Sequence, residues 1–224
     1  MIYADRSKKQ IIVSFRGSVN YRNWISNTLF TKYQFSNGIK VHRGFYTAYK
    51  LIRTLLQKKI ERSLIHRSNY EIVFTGHSLG GALATLATAD ALNLFESRDH
   101  ESLSNLNIKS TLLSLITFGS PRVGNAQLSD ALNRMDTGTI LRVTNTNDIV
   151  PHIPPRYMGF KHVGKEVWIN SNGNLVECDN EGEEESFACS NRINHLSDMN
   201  VVSHSLGYLG IAIGSIACSL SVSS

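Results

Sequence analysis

An α/β fold, with a largely parallel or mixed β-sheet flanked by helices, is predicted from three observations. Short β-branched and aromatic runs alternate with longer helical patterns along the chain. In one alternation, Ile72 to Ala84 (IVFTGHSLGGALA), a strand pattern passes into an Ala/Leu helix former with only a Gly-x-Ser-x-Gly turn between them. The 224 residues, 42% of them hydrophobic, suffice for one domain with a real core over 1–224, and no internal period suggests repeats.

Gln10 to Phe15 (QIIVSF) alternates as a strand and runs into a polar loop, Arg16 to Asn27. Phe45 to Arg62 has the apolar spacing of an amphipathic helix. Tyr70 to Thr75 is a β-branched and aromatic strand feeding the Gly-x-Ser-x-Gly turn. The helix after it spans Gly81 to about Leu94, and Ala82, Ala84, Ala87 and Ala89 let it lie close over a sheet. Glu96 to Lys109 reads as a polar linker. Strand Leu112 to Phe118, the turn GSPRVGN, a short helix Ala126 to Arg134 and strand Thr139 to Thr144 follow. Sheets built this way carry their chemistry at the carboxyl ends of the strands.

Ser78 is the candidate nucleophile. A strand turning sharply into a helix crowds the serine backbone, and side chains as small as Gly76 and Gly80 leave room for the turn. The Leu79 N–H then opens a helix and points where a carbonyl oxygen becomes an oxyanion. Ser18 in FRGS, after the first strand, is the candidate second oxyanion donor, with a bland turn serine as the other reading. His77 adjoins Ser78 and cannot aim its ring at it, so it reads as a packing or hydrogen-bonding residue under the turn.

Among the carboxylates, Asp148 follows a strand and precedes the proline-stiffened IVPHIPP, which suits the acid of a triad; an Asx turn with Asn147 is the alternative. Asp130 in a helix and Asp179 in an acidic loop read as solvated. The base must be a histidine, which alone takes and returns a proton near neutral pH. His42 and His66 precede the turn, and His152 reads as wall material. His204, in VVSHSLGYLG, lies late in the chain, as the Ser, Asp, His order of this architecture requires, and is preferred over its rival His195 because Tyr208-Leu209-Gly210 anchors the chain just beyond it.

The formal net charge of +5 is mild, and the Lys and Arg residues lack the interleaved aromatics of a nucleic-acid platform. No cofactor motif or convincing metal spacing is present. No signal peptide heads the sequence, and Tyr208 to Leu220 is too short and glycine-broken to span a bilayer. Cys178 and Cys189 flank an acidic loop and could close a small disulfide, leaving Cys218 as the odd third cysteine. Between Val19 and Phe30, the apolar Tyr21, Trp24 and Ile25 stand among polar residues beside Ser18. Such a segment reads as a lid over an apolar cleft or a contact with a lipid interface, against a permanently packed helix.

With VSFRGS, YRNWISN, KVHRGF, VFTGHSLGGALA, FGSPRVGN, NDIVPHIPP and HSLGYLG in this order between residues 13 and 210, the chain resembles the class 3 lipases, fungal triacylglycerol lipases of the Rhizomucor and Thermomyces type. The resemblance implies an α/β-hydrolase fold, with Ser78, Asp148 and His204 catalytic, Ser18 and Leu79 as oxyanion pair and a lid within 19–30. It implies acylglycerol hydrolysis at a lipid interface by a secreted, monomeric enzyme that needs no metal, and it matches Cys178 and Cys189 to the family's short loop disulfide. The family has a further helix and strands ahead of the position of Tyr3, so the resemblance implies a chain lacking that N-terminal part and leaves Cys218 without its usual partner. The aromatic after the histidine stands at four residues, Tyr208, where the family has three. Feruloyl esterases and A1-type phospholipases are relatives, and an inactive hydrolase-like binding scaffold is the non-enzyme alternative.

Overall fold

A computed structural model describes residues 1–18, 30–34, 38–67, 69–92, 113–134, 138–178, 189–192, 198–205 and 208–209. Among these, seven strands form one sheet in the order β1-β2-β5-β6-β7-β8-β9. The strands are β1 (Ile2–Asp5), β2 (Gln10–Phe15), β5 (Glu71–His77), β6 (Leu113–Phe118), β7 (Ile140–Asn145), β8 (Lys165–Ile169) and β9 (Leu175–Glu177). The run from β2 to β8 is parallel, and β1 and β9 close the edges antiparallel. Strands β3 (Lys32–Gln34) and β4 (Lys40–His42) make a separate antiparallel ribbon. This is the mostly parallel, mixed sheet of an α/β-hydrolase fold.

The central strands are buried on both faces, as a parallel sheet covered by helices requires. Ile72, Val73 and Phe74 are consecutive and all buried, as are Leu113, Ser114 and Leu115 beside them. Helix α1 (Arg43–Leu64) lays Phe45, Tyr49, Leu56 and Ile60 into the core and keeps Leu51 and Leu55 exposed. Helix α2 (Leu79–Ala91) is buried from Gly80 through Ala91. A helix enclosed all round needs apolar residues on every side, and its alanines provide them without holding the sheet away. Its one charge, Asp90, is fully buried and held by α1: Tyr49 donates its hydroxyl at 2.7 Å, and Arg53 donates from Nε at 3.0 Å and from Nη2 at 2.6 Å. Burial and the adjacent Asp90 hold the Tyr49 phenol well above its ordinary range.

The structure extends one of the predicted elements and adds others. Helix α1 begins at Arg43, two residues before the expected start, because His42 acts as its cap, Nδ1 accepting from Phe45 N at 3.3 Å. Histidine is not a usual N-cap residue, so no local signal marks it. The β8–β9 hairpin turns on Asn170, whose Oδ1 accepts from the backbone of Asn172 and Asn174, with Gly173 at φ +78°. The short helix of GSPRVGNAQ is α3 (Ala126–Asn133), capped by Asn125. Cys178 and Cys189 are joined in a disulfide just past β9. The Glu96 to Lys109 linker and Cys218 lie outside the described residues.

Asp90→Ala leaves the Arg53 guanidinium buried without its anion and is expected to lower the unfolding free energy by about 3 kcal/mol or more. Tyr49→Phe removes one hydrogen bond and is expected to cost about 1 kcal/mol. Urea unfolding of the two variants checks the order.

Candidate active site

Ser78 stands between β5 and α2 at φ 58°, ψ −128°. A residue with a side chain in that region costs about 1–3 kcal/mol, so its surroundings must hold it there. A Cβ on Gly76 would lie 2.3 Å from the carbonyl of Gly80, and one on Gly80 would lie 2.2 Å from the Phe15 carbonyl oxygen at the end of β2. The backbones are therefore pressed together where the sequence has glycine. Ser78 N donates to Phe118 O at 3.0 Å, which ties the turn to the end of β6, and Gly81 N donates back to Ser78 O at 2.9 Å. The serine is 2% exposed, and its Oγ has no hydrogen-bond partner among the described residues.

Asp148 lies three residues past the end of β7, and its two oxygens do different work. Oδ1 accepts from Val150 N at 2.8 Å, an Asx turn that fixes the carboxylate in the loop. Oδ2 accepts from Tyr208 Oη at 2.5 Å and faces His204 Nδ1 at 2.8 Å. The Asx turn therefore runs to Val150 rather than involving Asn147, and the other oxygen is left to face the imidazole. All three side chains are buried, Asp148 at 1%, His204 at 0% and Tyr208 at 2% exposed. With Nδ1 donating to a carboxylate, the neutral imidazole carries its lone pair on Nε2, the form a general base needs. Burial, with Asp148 beside it, holds the Tyr208 phenol well above its ordinary range, so it stays a donor.

The turn after β6 makes the floor of this cluster. Gly119 has φ +52°, and a Cβ there would lie 2.7 Å from Tyr208 Oη, 3.0 Å from Asp148 Oδ2 and 3.1 Å from His204 Cε1. His77, the last residue of β5, stacks its ring on His204 with centroids 4.4 Å apart, and its Nε2 donates to His204 O at 2.9 Å. Burial, and next the neighbouring His204, lower the His77 pKa to about 4. The ring under the elbow is therefore neutral at physiological pH and adds no positive charge beside His204. His77 is the packing and hydrogen-bonding residue expected at this position.

The structure brings Ser78, Asp148 and His204 into one region through these contacts. Leu79 is the first residue of α2. Gly17 lies against the elbow, where a Cβ would be 2.8 Å from His77 O and 3.4 Å from Ser78 Cβ, and partly buried Ser18 follows it. Tyr21, Trp24 and Ile25 of the expected lid, the rival base His195 and the loop carboxylate Asp179 lie outside the described residues. Asp130 pairs with Lys161 at 3.3 Å on partly exposed side chains, as a solvated carboxylate does. His66 is exposed, His152 sits in the one-turn helix Val150–His152, and His42 is buried as the α1 cap. The Tyr208 hydroxyl on Asp148 was not visible in the sequence beyond its role as an anchor; the extra residue before it does not carry the aromatic away from the site. Among the described residues, no group of three or more His, Cys, Asp or Glu side chains could hold a metal ion.

The family model for Lipase (class 3) matches residues 12–158. A lipase of Rhizomucor miehei is 36% identical over 217 residues, covering 96% of this chain and 56% of its own length. A secreted mono- and diacylglycerol lipase A of Penicillium cyclopium is 35% identical, covering 78% of this chain and 53% of its own. This chain thus spans about half the length of these curated relatives. A solved triacylglycerol lipase whose catalytic centre is formed by a serine protease triad superposes with a TM-score of 0.80 at 34% identity, covering 97% of this chain and 77% of that one.

One buried imidazole, His42, and one partly buried, His77, make stability depend on pH. Burial lowers the pKa of His42 to about 4, as it does for His77, whereas an unfolded chain titrates both near about 6.5. Between those values the unfolded chain binds protons that the folded one does not. Their contribution is therefore fully present above about pH 6.5, falls as pH drops toward about 4, and levels off below it. Urea midpoints at several pH values are expected to show this slope in wild type and a shallower one in His42→Asn, which keeps a capping acceptor without a titrating ring.

Proposed function

The chain belongs to the class 3 lipase family, and on that premise we propose that it is a serine carboxylester hydrolase, a triacylglycerol lipase acting through an acyl-enzyme. The observation that carries the reading is the buried Asp148–His204 pair, its imidazole aligned by Oδ2 at 2.8 Å, set beside the glycine-walled Ser78 turn.

In the proposed reaction, Ser78 Oγ attacks the ester carbonyl while His204 Nε2 takes its proton. Asp148 holds the tautomer and stabilises the imidazolium, with Tyr208 and the Val150 N–H sharing the carboxylate's charge. The oxyanion is received by the Leu79 N–H at the start of α2 and by Ser18; each such donor contributes about 3 kcal/mol in the transition state. The imidazolium returns its proton to the leaving alcohol as the tetrahedral adduct collapses to the acyl-enzyme. Water, deprotonated by the same base, then releases the fatty acid and restores Ser78.

Acylglycerols are the proposed substrates, in keeping with the relatives' names. The apolar residues Tyr21, Trp24 and Ile25 in 19–30 are the proposed lid, opening at a lipid interface. The Cys178–Cys189 disulfide and a relative called secreted support export to an oxidising compartment. No helix among the described residues is long and apolar enough to cross a membrane, which is compatible with transient contact by a monomer.

Hydrolysis of p-nitrophenyl esters from C2 to C16 and of emulsified triolein at pH 8 tests the reading. Wild type is expected to prefer long chains and to accelerate once droplets form, while Ser78→Ala and His204→Ala fall by about 10⁴-fold or more. Activity confined to short soluble esters would make the chain a general esterase. No ester hydrolysis by a folded wild type would favour a binding scaffold.

A further inference from the structure

We propose that Asn147 is a positioning residue for the hydrolysis, clasping the segment that carries His204 to the loop that carries Asp148; this rests on the proposed activity of that pair. His204 lies in α4 (Val202–Ser205), a single turn of helix. One turn is too short to hold its own conformation. The orientation of the base therefore has to be imposed from elsewhere, and beside the direct contacts of Asp148 and His77 one asparagine ties down the segment that carries it.

Asn147 Oδ1 accepts from Asn200 Nδ2 at 3.0 Å and from Ser203 Oγ at 2.8 Å, which engages both of its lone pairs. Its Nδ2 donates to the carbonyl of Asp198, and its own carbonyl accepts from Asn200 N at 2.9 Å. Asn200 Oδ1 in turn accepts from Ser203 N at 2.7 Å, and Asn145 Nδ2 donates to Ser203 O at 2.9 Å. The residue before the acid thus grips the residue before the base, through a side chain oriented by three hydrogen bonds. Thr146, just upstream, is held at φ +38°, so the backbone bends sharply to present Asn147 and Asp148 in succession. Sub-ångström placement of a general base matters because a misplacement of about 1 Å can cost about 10²-fold in rate.

The clasp predicts a rate effect separate from folding and from substrate binding. With p-nitrophenyl butyrate and active sites counted by fluorophosphonate titration, Asn147→Ala is expected to lower kcat about tenfold or more with KM within twofold of wild type. Ser203→Ala, which deletes one hydroxyl, is expected to lower kcat about threefold. The double variant is expected to lose less than the product of the two, because both cut the same tie. Thermal unfolding should place both variants well above the assay temperature; if Asn147→Ala does not fold, Ser203→Ala carries the test.

The low-field Nδ1 proton resonance of His204 gives a readout that needs no turnover. It is expected to be sharp in wild type and broadened by solvent exchange in Asn147→Ala or Ser203→Ala. A wild type that hydrolyses no ester would defeat the proposed activity, and this resonance would still test the clasp. Unchanged kcat in folded variants, or an unchanged resonance where wild type is inactive, would overturn the proposal.

Discussion

A methyl group at Gly76 would sit 2.3 Å from the Gly80 carbonyl, and one at Gly80 would sit 2.2 Å from the carbonyl oxygen of Phe15. This mutual contact of three backbone segments fixes where β2, β5 and α2 meet. It also holds Ser78 at a positive φ that a residue with a side chain rarely adopts. The strain and the packing are two sides of one constraint. Relaxing φ would swing the start of α2 away from β2, and separating the segments would give up the burial of a helix enclosed from Gly80 to Ala91.

The rest of the site is assembled from the same ends of neighbouring strands. Phe118 at the end of β6 accepts from Ser78 N, Gly119 floors the Asp148–His204–Tyr208 cluster, and Asp148 leaves β7 one turn further on. These groups are placed by the register of a parallel sheet and move only if the sheet does. His204, like Tyr208, comes from outside it. Its segment is bound by the Asp148 carboxylate, by His77 beneath the ring and by the hydrogen bonds of Asn147, all projecting from β5 or from the loop after β7. The rigid sheet thereby positions an imidazole, the proposed base, that its own one-turn helix could not.

Parts of this were legible in the sequence because their causes are local. The Gly-x-Ser-x-Gly turn is readable since only glycine tolerates the approach of Gly80 to Phe15, and strands β5 and β6 are readable from their β-branched and aromatic residues. Asp148 stood out because prolines follow it, and His204 because an aromatic anchor lies beyond it. Other features depend on partners far along the chain. The Tyr208 hydroxyl reaches a carboxylate 60 residues away, and Ser203 reaches Asn147 across 56; asparagine and serine are too common for either to signal such a contact. The start of α1 was missed because a histidine does the work of a serine or aspartate cap, and β8 and β9 because a polar Asx turn joins short strands at the sheet edge.

Glycine contacts hold the Ser78 backbone in strain, and Asp148 aligns the His204 imidazole; the proposed chemistry needs both. Its most direct test is mass-spectrometric mapping of a fluorophosphonate adduct on wild type, Gly80→Ala and Asp148→Asn, each shown to be folded. Stoichiometric phosphonylation of Ser78 in wild type, lost in Gly80→Ala and slowed by orders of magnitude in Asp148→Asn, is the result this account predicts. A folded wild type that leaves Ser78 unmodified, or a Gly80→Ala protein labelled at the wild-type rate, would contradict it.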